Sequence, residues 1–115
     1  MLQKYPMVSG STNVAQGSAT SILIAAPAAG KTTRLTTGVI AVTVAATGGS
    51  GRVSIKDGST IIQSWDANAI SNYQFNYGAE IGFPLTLNNA LNLVVEGAVT
   101  NQATAYASAV GYTIG

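Results

Sequence analysis

Histidine and cysteine are both missing from this chain, and its 115 residues carry only five Lys/Arg and four Asp/Glu. The charged side chains are Lys4, Lys31, Arg34, Arg52, Lys56, Asp57, Asp66, Glu80 and Glu96. Most general acid–base, nucleophilic and transition-metal chemistry draws on the missing types. Without cysteine there is no disulfide framework. Charged residues make up 8% of the chain, about a third of the usual share. A net charge of +1, with scattered basic residues and no aromatics between them, predicts no nucleic-acid partner. The sequence therefore predicts a protein that is not an enzyme and needs no cofactor or metal.

Long apolar runs are also lacking. The stretches 22–29 and 39–46 are broken by Pro27 and Thr43 and fall far short of a helical membrane span. No apolar segment of signal-peptide length follows Lys4, and no Asn-x-Ser/Thr acceptor occurs. The expectation is a chain folded in a host cytoplasm, with no membrane partner. So little charge also leaves little repulsion against self-association, which favours a working life inside an assembly.

What is present is Ala, Gly, Thr, Ser, Asn and Val in short alternating runs. Period-two patterning predicts strands near 21–25, 34–46, 52–56, 59–65, 73–77, 85–87, 91–97 and 103–114. Asp57-Gly58 signals a tight hairpin. The last strand sets Tyr106, Ser108, Val110, Tyr112 and Ile114 on one face. Its other face is Ala105, Ala107, Ala109, Gly111 and Thr113, small residues that suit close approach, chiefly by the opposite sheet. No long window has a helical period. The fold expected is all-β, an antiparallel sandwich of about seven or eight strands. Residues 1–20 are polar and aperiodic and predict an extended N-terminal arm, with the sandwich domain spanning 21–115.

Three motifs invite chemistry, and each has a plainer explanation. Ala25-Ala26-Pro27-Ala28-Ala29-Gly30-Lys31-Thr32 fits a relaxed phosphate loop, but β-formers follow where a helix must begin. It reads as a turn with an exposed Lys31. Four scattered carboxylates give no spacing for glycoside hydrolysis or calcium. Trp65, Tyr73, Phe75 and Tyr77 could stack a sugar, although such residues more often fill a core. A single Trp65-Asp66 dipeptide without a repeat carries no propeller signal.

The run Ile81-Gly82-Phe83-Pro84-Leu85-Thr86-Leu87, then Asn92-Leu93-Val94-Val95-Glu96-Gly97, then Val110-Gly111-Tyr112-Thr113-Ile114 resembles the closing strands of small jelly-roll proteins of tailed bacteriophages. Lys56-Asp57-Gly58-Ser59 resembles their central hairpin. The resemblance implies a jelly-roll fold and a capsid decoration (cement) protein. Such a protein is a homo-oligomer, commonly a trimer, bound to the major capsid protein on the outer face of the virion. A head-fibre or tail component, or a carbohydrate-binding or adhesin-like module, is the alternative. Contacts are expected in the arm and in the loops 27–33 and 78–84, which nominates Leu2, Tyr5, Met7, Pro27, Lys31 and Phe83.

Overall fold

The computed structural model describes residues 6–14, 20–44, 51–66, 71–78, 80–97 and 103–115. They form nine strands: β1 (Met7–Val14), β2 (Thr20–Ile24), β3 (Thr32–Val44), β4 (Gly51–Asp57), β5 (Thr60–Asp66), β6 (Ser71–Asn76), β7 (Phe83–Pro84), β8 (Leu91–Gly97) and β9 (Ala103–Ile114). Among the described residues there is no helix. One sheet runs β1-β9-β3-β6, with β7 beside β6 on the outer edge of β3; the other runs β2-β8-β4-β5. All strand pairs are antiparallel. The chain crosses between the two sheets at every connection except β4–β5 and β6–β7, and the resulting orders β1-β9-β3-β6 and β2-β8-β4-β5 are those of a jelly roll, which matches the expected sandwich.

Alternation decides which residues enter the core. Leu91, Leu93 and Val95 of β8 and Val53 and Ile55 of β4 face Ile40, Val42 and Leu35 of β3 across the sandwich, and all are fully buried. Ala105, Ala107 and Ala109 of β9 are buried in the same cluster. The small-residue face of β9 therefore meets the opposite sheet, as its spacing suggests. A bulge at Thr36 reverses the phase of β3. Before it Thr33 and Leu35 point inward; beyond it Gly38, Ile40 and Val42 do. Thr36 itself is buried, and its hydroxyl donates to the Val110 carbonyl at 2.8 Å.

The expected arm is corrected over residues 7–14. Met7–Val14 pairs with β9 in unbroken register from Met7↔Tyr112 to Val14↔Ala105. Val8, Gly10, Thr12 and Val14 share the face paired with Gly111, Ala109, Ala107 and Ala105. Two of these inward residues are a glycine and a threonine, so the segment carries little apolar signal. Leu2, Lys4 and Tyr5 lie outside the described residues.

The brief strand expected at 85–87 lies two residues earlier, at Phe83–Pro84. Leu85 N–H donates to the Thr33 carbonyl and Asn88 N–H to that of Lys31, so three steps on one side match two on the other. That mismatch is incompatible with a ladder, and Asn88 takes it up with φ 64.

The hairpin is shifted by one residue from the expected Asp57-Gly58 turn. Asp57 pairs with Thr60, so Gly58 and Ser59 are the two loop residues. Gly58 has φ 62 and Ser59 a negative φ, the pattern of a II′ turn, which places glycine first. Asp57 is freed to stitch this turn to the next loop. Its Oδ2 accepts from the Thr86 N–H at 2.9 Å and hydroxyl at 2.8 Å, and its Oδ1 from Asn89 Nδ2 at 2.9 Å. Asp57→Ala is expected to lose about 2 kcal/mol of stability in urea titration. An unchanged midpoint would show that the stitching is idle.

Candidate interface

Three charged side chains cluster on one face of the sandwich. On the outer face of the β2-β8-β4-β5 sheet, Glu96 receives Arg52 Nε at 2.9 Å and Lys56 Nζ at 2.9 Å. The hydrogen bonds from Lys56 and then Arg52 hold the Glu96 carboxyl below its ordinary 4.5. A depressed carboxylate stabilises the fold above its unfolded pKa, and that contribution is lost as pH falls through the lowered value. Arg52 is exposed and Lys56 and Glu96 half-buried, and the shared ion pairs contribute on the order of 0.5 kcal/mol. Glu96→Gln is therefore expected to narrow the gap in melting temperature between pH 7 and pH 3. An undiminished gap would place the acid sensitivity elsewhere.

The outer face of the β1-β9-β3-β6 sheet is of another kind. Its residues lie in straight rows across the four strands. Ser9, Val110, Thr37 and Asn76 form one row, and Ser11, Ser108, Val39 and Gln74 the next. Asn13, Tyr106, Ala41 and Asn72 form a third. None of the twelve is charged. Val39 is 44% exposed and Tyr106 50% exposed. Arg34 stands at one end of the face beside Tyr112, and its Nη1 is turned aside to donate to the Ile81 carbonyl at 3.0 Å.

That end of the sandwich gathers the loops. Tyr112 Oη donates to the Glu80 carbonyl at 2.6 Å and approaches that of Ile81 at 3.2 Å. Together with Arg34 it pins the loop and leaves Ile81 projecting, 71% exposed. Leu87 projects from the neighbouring loop, 57% exposed. Asn88 ties that loop to the β2–β3 connection through its side chain, Nδ2 donating to the Ala28 carbonyl at 2.7 Å.

The nominated residues do not converge on one spot. Met7 is exposed at the start of β1, paired with Tyr112 at the margin of the uncharged face. Pro27 is half-buried and Lys31 exposed in the β2–β3 loop, where Lys31 N–H closes a turn onto the Ala28 carbonyl. Lys31 leads into strand β3, so no helix N-terminus stands where a phosphate loop needs one. Phe83 is half-buried and packs on Tyr77 at 5.4 Å between ring centres. Sequence reasoning named the loop 78–84 without singling out Ile81 in it, and missed Leu87 and the rows themselves. The rows depend on which strands are neighbours, and no local signal carries that.

The aromatic series closes the opening between the β5 and β6 edges. Trp65 stacks on Tyr73 at 5.8 Å and lies 6.1 Å from Phe75, which in turn meets Tyr77 at 5.8 Å. Tyr77 donates its hydroxyl to Gln63 Oε1 on the other sheet, and burial pushes that phenol above its ordinary 10.0. Phe75 is buried and the other rings half-buried, so the series seals the core.

No protein-family model matches the chain. No curated protein matches it in sequence. Likeness appears among solved structures. A subunit of the disulfide-linked pili that form Bacillus endospore appendages aligns with a TM-score of 0.51 at 11% identity, over 98% of this chain and 93% of that one. The PRD1 vertex protein P5 aligns at 0.45 and 11% identity, over 90% of this chain and 94% of that one. The tobacco streak virus coat protein aligns at 0.42 and 12% identity, over 97% of this chain and 88% of that one. At such identities the likeness is one of fold. The disulfide link of those pili has no counterpart here, because this chain has no cysteine.

Proposed function

We propose that the chain is a non-enzymatic structural protein of a virion, a homo-oligomer that binds the outer capsid surface and ties neighbouring capsomers together. One observation carries the reading. A jelly-roll sandwich presents a sheet face with three rows free of charge, Arg34 standing only at its end, and beside that face a pinned loop end projects Ile81 and Leu87. Such a molecule is equipped for contact. A loop held by Tyr112 and Arg34 loses little conformational entropy on docking, which favours affinity. Low charge makes that affinity insensitive to salt. The phage resemblance adds the capsid as partner and the trimer as the oligomer.

The test is co-sedimentation with capsids assembled without this protein. Wild-type protein is expected to pellet with them at both low and high salt, and Ile81→Asp to remain in the supernatant. Wild-type protein left in the supernatant would overturn the reading, and equal pelleting of Ile81→Asp would move the contact away from the loop end.

A further inference from the structure

Uncharged faces are exceptional in proteins that must stay apart in solution, and among the described residues three whole rows on one sheet face carry no charge. The row Ser11–Ser108–Val39–Gln74 crosses the whole β1-β9-β3-β6 sheet, and the rows on either side are equally free of charge. The opposite sheet carries Arg52, Lys56 and Glu96 on its outer face. We infer that the outer face of the β1-β9-β3-β6 sheet is where copies of this chain meet one another.

The argument for a second copy as occupant comes from symmetry. In a closed homo-oligomer, equivalent side chains approach one another near the axis, so a charged face brings like charges together. A face of Ser, Asn, Gln, Thr, Val and Tyr carries no such cost, and its hydroxyls and amides both donate and accept, so different parts of the face can pair with one another around a three-fold axis as well as a two-fold one. The ion-paired face lacks this property: two copies of Arg52 or Lys56 facing each other would repel. Arg34, the one cation at the margin among the described residues, is already engaged by the Ile81 carbonyl.

The size is adequate. Eight residues of β1 at ~3.3 Å each, across four strands ~4.8 Å apart, give roughly 500 Å² of flat face. With side-chain relief this approaches the ~800 Å² that each partner of a standard interface contributes. A net charge of +1 also leaves almost no long-range repulsion between copies. The inference rests on the homo-oligomeric part of the proposed function and not on the capsid.

The experiment is the mass of the full chain in capsid-free solution, by sedimentation velocity or native mass spectrometry. Wild-type protein is expected to be oligomeric at micromolar concentration. Val39→Lys and Gln74→Lys, each on this face, should weaken the assembly at least ~10-fold and yield monomer. Ile22→Lys, exposed on the opposite sheet's outer strand, should leave the mass unchanged. Trp65 fluorescence reports that each variant is folded, and Gln74→Lys replaces an exposed polar side chain, so its folding is not at stake. A monomeric wild type, or an oligomer indifferent to both face variants, would overturn the inference. Capsid binding, measured separately, distinguishes that failure from failure of the virion role.

Discussion

Gly10→Ala is expected to lower the melting temperature by more than ~10 °C, corresponding to roughly 3 kcal/mol. Gly10 faces inward on β1, and a Cβ there would overlap the Leu23 carbonyl oxygen of β2 in the facing sheet. The obstacle is backbone, which cannot rotate aside as a side chain does. Relief requires prising β1 from β2 at the edge where the Thr12 and Ser21 hydroxyls bridge the two sheets. Ser11→Ala, one residue away but on the outer face, should shift stability by no more than about 0.5 kcal/mol. A Gly10→Ala melting curve that follows Ser11→Ala would contradict the close approach of the two edges.

The second large effect is expected at Phe75. It is 3% exposed and sits in the middle of the aromatic series, with Trp65 on one side and Tyr77 on the other. Phe75→Ala removes a whole ring from a packed site and should cost roughly 4 kcal/mol. Phe75→Leu, which keeps most of the volume, should cost less than half of that. The sole tryptophan, Trp65, gives a second readout: its emission should shift to the red in Phe75→Ala as water reaches the vacated space. If the rings were an exposed stacking platform, removing Phe75 would cost below about 1 kcal/mol. Chemical denaturation followed at Trp65 decides between the two.

Much of the fold is readable in the chain because alternation is a local signal. The last strand places Tyr106, Ser108 and Val110 opposite Ala105, Ala107 and Ala109, and the structure buries the alanines. The same signal fails over residues 7–14, since Gly10 and Thr12 occupy core-facing positions without looking apolar. Gly10 is dictated by the Leu23 carbonyl in a segment more than ten residues away, a constraint that appears only once the sheets are stacked. The hairpin was legible to within one residue. Asp57 reads as a turn former, but its carboxylate is spent on Thr86 and Asn89, partners that no short-range rule connects to it.

The candidate surfaces were less legible. Low overall charge points to assembly, but the composition does not say which side of the molecule is bare. The charge-free rows draw on β1, β9, β3 and β6, segments dispersed along the chain, and their adjacency follows from jelly-roll winding. Ile81 shows the same limit. Its exposure follows from Arg34 and Tyr112 binding the backbone of residues 80 and 81, so that the loop cannot fold its apolar side chain inward.

The proposed structural role in a virion is tested most directly by the temperature at which particles release their DNA, with and without this protein. Particles lacking it are expected to release DNA at a lower temperature. Added wild-type protein should restore the original value, while Ile81→Asp should not. Equal release temperatures for particles with and without the protein would contradict the account.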